Sequence, residues 1–247
     1  MSVCLVSGAS RGIGRACALL AAERGFDVAV NYHRDAAAAA EVVAAVQALG
    51  RRAIAVQADV SNEEQVLAMF GRIDAELGRL TALINNAGMV APKARLVEMS
   101  MARWRSMFDV NVIGTLLCAR EAAKRMSLNH AGRGGVIVNL GSVASRIGSP
   151  GQYTDYAASK GAVDTLTLGL SKELAADGIR VNCVRPGIID TDIHASGGEP
   201  DRAQASAPLI PLQRPGTARE IAAAVLWLLS DEASYTTGAI VDVAGGR

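Results

Sequence analysis

Short runs of β-branched and other apolar residues alternate with longer segments of helical period along the whole chain. These runs predict strands at residues 3–6, 28–31, 54–57, 82–85, 136–140, 181–184 and 240–243. Strands separated by helix-length crossovers are typical of a parallel sheet, because each crossover returns the chain to the end of the sheet where the strands begin. We therefore predict an α/β fold: a single Rossmann-like, doubly wound parallel sheet of about seven strands with helices on both faces.

Three of the intervening segments predict helices. Residues 35–49 begin with an alanine run, and we prefer helix to low-complexity disorder there because alanine is the strongest helix former. Within residues 61–77, Ser61 and Glu64 have the spacing of a capping box. Residues 221–229 are apolar on nearly every face, which indicates burial against the sheet and a partner subunit, or an internal helix.

One long segment, at about 190–216, interrupts this rhythm. It contains two adjacent glycines and several prolines: Gly197, Gly198, Pro200, Pro208, Pro211 and Pro215. A loop of this length inside a compact domain is usually functional or mobile. A disordered insert is the alternative.

Length and charge limit the classes of function. The chain has 247 residues, half of them hydrophobic, with 25 basic and 24 acidic side chains, which fits a single domain over 1–247. The balanced charge gives no footprint for nucleic acid or a membrane surface, so we expect a small-molecule partner. The first strand begins beside Met1 and no apolar run reaches membrane-spanning length, which favours a cytoplasmic location. The cysteines and histidines are scattered, so no metal site is predicted.

The turn after the first strand, "VSGASRGIG", places Gly8, Gly12 and Gly14 before a segment of helical period. Small residues there let the backbone approach a pyrophosphate, whose charge is favoured at a helix N-terminus. Arg15 follows Gly14, which excludes the mononucleotide P-loop pattern. Any tight strand-to-helix turn can use the same glycines. However, polar groups at later strand ends, Asp59-Val60 and "NNAG" at 85–88, favour a dinucleotide.

The end of the second strand bears on the choice between NAD and NADP. An acidic residue there would bind the ribose hydroxyls of NAD, but the strand ends in Asn31, Tyr32, His33 and Arg34. Arg11 and Arg34 can both reach a 2′-phosphate, which the planar guanidinium fork suits. We therefore favour NADP(H) over NAD(H). The alternative is that Arg34 is solvated and Asp35 binds the ribose.

The stretch "YTDYAASK" holds two tyrosines and a lysine on a predicted helix. Residues four apart share a face, so Tyr156 meets Lys160, whereas Tyr153 meets Ala157. Bringing a tyrosine pKa from about 10 to near 7 takes about 4 kcal/mol, and a cation about 5 Å away supplies roughly 3 kcal/mol at an effective dielectric of 20. Ser142, after the fifth strand, can hold a carbonyl oxygen. An isolated pair of this kind is usually a solvated helix face, but its coincidence with Ser142 and the glycine turn indicates a catalytic site.

These motifs, with "RPGIIDT" and Asn111, resemble the short, single-domain branch of the short-chain dehydrogenase/reductase family over residues 3–246. The resemblance implies that Tyr156 exchanges the proton, that Ser142 orients the substrate oxygen, and that Lys160 binds the nicotinamide ribose and lowers the tyrosine pKa. Asn111 would hold a water of the proton relay. The implied cofactor contacts are Gly8, Ser10, Arg11, Gly12, Ile13, Gly14, Asn31, Arg34, Asp59, Val60, Asn86, Ala87, Gly88, Tyr156, Lys160, Pro186, Gly187, Ile189 and Thr191.

The resemblance also implies a homotetramer, and it implies that segment 190–216 is the loop that covers the substrate. Two departures from the family pattern are mild: Ser7 replaces a threonine but keeps the hydroxyl, and Gly141 stands where a serine is common. The substrate pocket is predicted from Ser142, Ala144, Gln152, Tyr156, Ile188 and His194, with an exposed loop position as the alternative for His194.

Four functions remain open on the sequence. We favour an NADPH-dependent carbonyl reductase that interconverts a carbonyl and a secondary alcohol. A sugar dehydrogenase is an alternative, because "ASRIGSPGQYTDYAASKGA" with "HASGGEP" is similar to members named for glucose 1-dehydrogenase. A 3-oxoacyl carrier-protein reductase would need cations at the pocket mouth, and the helix end Ala175-Ala176-Asp177 weakens that reading. The fourth is a non-catalytic NADP(H)-binding redox sensor. The intact Ser142, Tyr156 and Lys160 argue against it, because a pure sensor needs no proton donor.

Overall fold

A seven-stranded parallel sheet forms the centre of the molecule. The computed structural model describes residues 2–247, with the side chains of His194 and Ser196 outside the described part. The strands are β1 (Val3–Val6), β2 (Asp27–Tyr32), β3 (Ala53–Gln57), β4 (Leu80–Asn85), β5 (Gly135–Leu140), β6 (Ile179–Pro186) and β7 (Ile240–Val243). Their order is β3-β2-β1-β4-β5-β6-β7, and every pair is parallel. This confirms the doubly wound α/β fold, with the strand order reversing direction between β1 and β4.

The predicted strands are all present, and several extend beyond the apolar runs that predicted them. The clearest case is β6, which spans Ile179–Pro186 because its backbone pairs with β5 from Gly135 onward and with β7 as far as Pro186. Arg180 and Arg185 interrupt the apolar pattern but still pair through their backbones. Ladder hydrogen bonds depend on the main chain, so side-chain hydrophobicity alone underestimates strand length.

Helices cover both faces of the sheet. They are α1 (Gly12–Glu23), α2 (Ala36–Ala48), α3 (Glu63–Glu76), α4 (Met101–Phe108), α5 (Gly114–Met126), α6 (Ala144–Ile147), α7 (Thr154–Glu173), α8 (Ile193–Ser196), α9 (Arg202–Ala205) and α10 (Ala218–Leu229). A π-helical turn, Asp109–Ile113, joins α4 to α5. Of the described helices, none combines the length and apolar character needed to cross a bilayer.

The capping box expected at the start of α3 was wrong. Asn62 is the N-cap, and its side chain accepts a hydrogen bond from the Gln65 backbone N–H at 3.0 Å. Ser61 instead donates its hydroxyl to the Asp59 carboxylate at 2.7 Å. The hydrogen bond from the Ser61 hydroxyl to an ionised carboxylate is stronger than one in which the hydroxyl accepts from a backbone N–H. Ser61 is therefore not available as the cap, and the helix begins one residue later than expected.

Two apolar clusters lie on opposite faces of the sheet. On one face, α1, α2 and α10 pack together, and Ile221, Val225 and Leu228 of α10 are completely buried. On the other face, α3 and α5 contribute Phe70 and Met126. The apolar segment 221–229 is therefore largely buried within the molecule, and Trp227 is its main exposed apolar residue.

Segment 190–216 is structured rather than irregular throughout. It contains α8 and α9, and a parallel bridge between Ile189 and Gly216 closes it at its base. Glu199 attaches the segment to the body through hydrogen bonds with Tyr153 and an ion pair with Lys93. Proline and glycine correctly indicated a break in the α/β rhythm, but they did not reveal the two short helices.

A buried ion pair fixes the start of α7. Arg103 of α4 donates from Nε and Nη2 to the two carboxylate oxygens of Asp155, at 2.6 and 3.1 Å. The Asp155 side chain is 2% exposed, and its Oδ1 also accepts from the Tyr156 backbone N–H at 2.9 Å. The pair therefore connects α4 to the turn of α7 that carries Tyr156.

We predict that Arg103→Met lowers the free energy of unfolding by about 3 kcal/mol, because it leaves the Asp155 carboxylate buried without its cation. Arg219→Met is the matched control, since its pair with Glu23 is exposed and is worth less than about 1 kcal/mol. Urea denaturation followed by circular dichroism measures both. Equal losses in the two variants would show that the Arg103 pair has no special structural role.

Candidate active site

A cavity of about 350 Å³ opens at the carboxyl ends of the central strands. This is the sheet edge where the first strand-to-helix turn, the ends of β4 and β5, and segment 190–216 meet. It brings together these predicted site residues: Ile13, Asn86, Gly88, Ser142, Ala144, Gln152, Tyr156, Lys160, Pro186, Gly187, Ile188, Ile189 and Thr191. The other predicted contacts lie around it in the glycine turn, in the loop after β4 and at the ends of β2 and β3.

The glycine turn is held to the loop after β4 by a set of hydrogen bonds. The Ser7 hydroxyl accepts from the backbone N–H groups of Asn86 and Ala87 at 3.0 and 2.9 Å. The Asn86 amide donates to the carbonyls of Ser7 and Gly8 at 2.9 and 3.0 Å. Serine at position 7 therefore supplies the hydroxyl that the family's threonine would supply.

Glycine is required at two points of this turn. A β-carbon on Gly14 would lie 2.3 Å from the Gly8 carbonyl oxygen and 2.5 Å from the Asn86 amide nitrogen. Gly8 adopts a φ of +63°, which disfavours other residues. On Gly12 the same position meets Thr191 of segment 190–216 at 3.6 Å, an ordinary van der Waals contact, so the turn is open at this point.

The N-terminus of α1 faces this opening and suits an anionic ligand. No side chain caps the helix at Arg11, and its first turn contains no acidic residue. Backbone N–H groups at such a helix end, together with the helix dipole, favour a phosphate. The close backbone approach and the helix end therefore fit the pyrophosphate of a dinucleotide.

At the far end of the cleft, most of the polar side chains around β2 and β3 already form hydrogen bonds within the protein. Asn31 is 1% exposed; its amide accepts from the Gly8 N–H at 3.1 Å and donates to the Ala58 carbonyl at 3.1 Å. Asp35 caps α2 by accepting from the Ala38 N–H at 2.9 Å. Hydrogen bonds from Ser61 lower the pKa of Asp59, although burial acts in the opposite direction. The Arg34 side chain is exposed beside this group, and its charge contributes to lowering that pKa.

Ser142, Tyr156 and Lys160 all line the cavity. Lys160 is one helical turn after Tyr156 on α7, and its Nζ lies 5.8 Å from the Tyr156 ring centroid. The same ammonium donates to the Leu140 carbonyl at 2.7 Å, which anchors it to the end of β5. Ser142 follows that strand, and its hydroxyl accepts from the Ala144 N–H at 3.1 Å.

The protein environment shifts the pKa values of both groups. Burial raises the pKa of the Tyr156 hydroxyl above its usual value, while a hydrogen bond from Ser142 acts in the opposite direction. Burial lowers the pKa of Lys160 to about 8, although the charges of Cys183 and Asp164 oppose this shift. The expectation that Lys160 lowers the pKa of Tyr156 was therefore wrong for this structure, because burial outweighs the lowering and the pKa is raised. Tyr156 is held in its protonated form at neutral pH, which suits a proton donor.

Asn111 lies immediately behind the cavity in the π-helical turn, a feature common at functional sites. Its amide accepts from the Met89 N–H at 2.8 Å and donates to the Met89 carbonyl and to the Ser159 hydroxyl. These bonds tie the loop after β4 to α7. The role of Asn111 in holding a water stays a prediction.

The glycine at position 141 has a steric explanation. A β-carbon there would lie 2.8 Å from the Cys183 sulfur, 3.0 Å from Cγ of Arg185 and 3.1 Å from an oxygen of Asp164. Arg185 and Asp164 form a pair at 2.8 Å that occupies this space. Gly141 and the three neighbouring side chains therefore fit together as a unit beneath Lys160.

Sequence reasoning missed several residues that line the cavity, and among these are Tyr153, Arg202 and Arg247. Tyr153 was placed on the Ala157 side of the helix, but it is the residue preceding α7 and its hydroxyl reaches Glu199 at 2.6 Å. Arg202 and Arg247 are single charges in segments without periodicity, so no pattern singled them out. The side chain of His194 lies outside the described residues, and its predicted contact stays a prediction.

Known proteins resemble this chain over nearly its whole length. The family model described as "Enoyl-(Acyl carrier protein) reductase" matches residues 8–247. An uncharacterized oxidoreductase of Escherichia coli, YgfF, is 55% identical over 247 residues, covering 100% of both chains. Glucose 1-dehydrogenase 2 of Bacillus subtilis is 37% identical, covering 98% of this chain and 93% of its own.

Solved structures extend the likeness to the fold. The crystal structure of a short chain dehydrogenase from Burkholderia cenocepacia in complex with NADP matches with a TM-score of 0.90 and 34% identity, covering 99% of this chain and 97% of that one. The likeness therefore extends over the whole fold. On this evidence the chain belongs to the short-chain dehydrogenase/reductase family of oxidoreductases, whose members bind a nicotinamide cofactor.

Proposed function

We propose that this protein is an NADP(H)-dependent oxidoreductase that interconverts a carbonyl and a secondary alcohol, with Tyr156 as general acid and base. The observation that carries the proposal is that Ser142, Tyr156 and Lys160 line one cavity with Ile13 and Thr191, beside the open glycine turn. A bound nicotinamide would supply or accept the hydride. The residues of the turn, with Thr191 and Lys160, would hold it.

The proton chemistry follows from the environment of Tyr156. Ser142 would hold the substrate oxygen beside the Tyr156 hydroxyl, whose raised pKa keeps its proton available at neutral pH. As the proton leaves, the positive charge of Lys160 would stabilise the tyrosinate that forms. The same pair would accept the proton from an alcohol in the reverse direction.

The preference for NADP rests on what surrounds the end of β2. The alternative ribose ligand, Asp35, has its carboxylate engaged at the N-terminus of α2, and the Asn31 amide is buried. This arrangement leaves Arg11 and Arg34 as the side chains suited to a 2′-phosphate. The Burkholderia cenocepacia relative in complex with NADP also supports this choice.

A sugar dehydrogenase is a second candidate, supported by the Bacillus subtilis relative named glucose 1-dehydrogenase 2. Turnover measured with a panel of carbonyl compounds that includes aldoses distinguishes the sugar dehydrogenase from the reductase.

The homotetramer and the cytoplasmic location stay predictions. A non-catalytic sensor of NADP(H) would bind the cofactor but oxidise none of it with any carbonyl.

We predict that Tyr156→Phe lowers kcat about a hundred- to ten-thousand-fold, because it removes the proton donor. Cofactor affinity, measured by fluorescence titration, is expected to stay within about twofold, since little contact area is lost. Tyr153→Phe is the matched control: its hydroxyl bonds to Glu199 and Arg202, so we expect a change mainly in KM. An equal loss of kcat in both variants would contradict the role of Tyr156.

We predict that Arg11→Gln combined with Arg34→Gln lowers the preference for NADPH over NADH at least about tenfold, because charge-assisted hydrogen bonds to the 2′-phosphate are lost. The measurement is kcat/KM for each cofactor at a fixed carbonyl concentration. Arg105→Gln, which changes an exposed arginine on α4, is the control and should leave the ratio unchanged. If NADPH and NADH lose affinity equally, neither arginine recognises the phosphate.

We predict that kcat/KM for carbonyl reduction is constant near neutral pH and falls as the pH rises through about 8, where Lys160 loses its charge. A neutral Lys160 stabilises the tyrosinate less, so Tyr156 becomes a weaker acid. A pH profile with saturating cofactor measures this. A profile that stays flat to about pH 10, the ordinary range of a free lysine, would contradict the assignment.

A further inference from the structure

Two arginines also line the cavity that holds Ser142 and Tyr156. Arg202 belongs to α9, and Arg247 follows β7 at the other end of the chain, yet both line the same cavity as Ser142 and Tyr156. Among the described side chains that line it, the formally charged ones are those of Lys160, Arg202 and Arg247, and all three are basic. The substrate therefore enters a space of positive potential.

Arg202 is held in a fixed orientation. Its Nη1 donates to Glu199 at 2.8 Å and to the Tyr153 hydroxyl at 3.1 Å, and its Nη2 donates to the Gln152 side chain at 3.1 Å. The guanidinium also lies 4.9 Å from the centroid of the Tyr153 ring. These contacts order the side chain before any ligand arrives, so little of its conformational entropy remains to be lost on binding.

The nearby carboxylate does not neutralise this cluster. Glu199 also forms an ion pair with Lys93, so one negative charge serves two cations, and Arg247 adds a third positive charge. Although burial opposes the shift, hydrogen bonds from Lys93, Tyr153 and Arg202 lower the pKa of Glu199 to about 2. Glu199 is therefore already ionised and engaged, and the cluster keeps an excess of positive charge.

Arg247 differs from Arg202 in that no acidic side chain among the described residues pairs with its guanidinium. Among the described residues, no hydrogen-bond or ion-pair partner is found for its guanidinium, and its backbone N–H donates to the Ala244 carbonyl. Burial, and then the charge of Arg202, lower the pKa of Arg247. A partly buried cation beside another cation is unfavourable, and an anion between them would relieve that cost.

We propose that the substrate of this site is an oxo acid or hydroxy acid whose carboxylate is bound by Arg247, with Arg202 beside it, while its carbonyl or hydroxyl lies against Ser142 and Tyr156. The inference rests on the function proposed above. The same cavity is also lined by apolar side chains, including those of Ala144, Ile188 and Ile193. The site therefore favours a hydrocarbon spacer between the carboxylate and the reacting carbon, within a cavity of about 350 Å³ that a nicotinamide would partly fill.

The chemistry leaves the carboxylate unchanged. In the reductive direction the carbonyl carbon gains a hydride from the reduced nicotinamide, which becomes oxidised, and the carbonyl oxygen gains the proton of Tyr156. Solvent then returns a proton to the tyrosinate. The arginines take no part in bond making, and they fix the position of the reacting carbon relative to the hydroxyls.

The test compares straight-chain oxo acids of increasing length, 4-oxopentanoate, 5-oxohexanoate and 6-oxoheptanoate, with their methyl esters and with a neutral 3-oxoacyl thioester. For the best acid we expect kcat/KM at least about tenfold above that of its ester, from charge-assisted hydrogen bonds to arginine. Arg247→Met should remove this preference by lowering the value for the acid and sparing the ester. Arg247→Lys should restore part of it, and Arg133→Met, a change at an exposed arginine, should have no effect.

A binding experiment gives a second readout that needs no turnover. Calorimetry on the protein loaded with NADP⁺ should show pentanoate binding to the wild type but not to Arg247→Met, and no binding of pentanamide to either. Equal turnover of acids and esters, faster turnover of the thioester, or equal binding of pentanoate and pentanamide would overturn the inference while leaving the reductase intact. Weaker NADPH binding in Arg247→Met, with acids and esters affected alike, would assign Arg247 to a cofactor phosphate and also overturn it. If every carbonyl fails but pentanoate binds through Arg247, the anion site stands and the proposed reaction fails.

Discussion

The close contact between the turn after β1 and the loop after β4 is the constraint on which the site depends. A β-carbon on Gly14 would lie 2.3 Å from the Gly8 carbonyl oxygen, so only glycine permits α1 to begin where it does. Ser7 and Asn86 fix the contact through four hydrogen bonds of 2.9 to 3.0 Å. This contact directs the N-terminus of α1 into the cleft, because the helix starts directly from the turn.

The other half of the site is built from β5 and α7. The ammonium of Lys160 is anchored to the last carbonyl of β5, and Ser142 lies two residues beyond it. The Arg103–Asp155 pair holds the first turn of α7 against α4. The floor of the site is therefore rigid, because its groups sit on the ends of packed strands and on a well-anchored helix. Segment 190–216 and the end of the chain also line the cavity, so the proposed selection of substrate can vary there without disturbing the proposed reacting groups.

The parts of the structure that the sequence predicted best are those with a strong local signal. Alternating apolar runs located the strands, and the four-residue spacing of Tyr156 and Lys160 placed both on one face of α7. Local patterns failed where distant groups compete: Asp59 binds the Ser61 hydroxyl and moves the cap of α3 to Asn62. Tyr153, Arg202 and Arg247 could not be found from spacing at all. Their association depends on the tertiary path of segment 190–216, which carries no periodic signal.

The central claim is that hydride passes in this cavity between a nicotinamide and a carbonyl carbon, and isotope transfer tests it most directly. The protein would be given NADPH carrying deuterium at the transferable position of C4, prepared as each stereoisomer, with the panel of diketones, aldehydes, aldoses, oxo acids and oxo esters. The account predicts that one deuterium from one isomer appears on the carbinol carbon of the product, detected by mass spectrometry. The absence of label from every product, while the protein still binds NADPH, would contradict it.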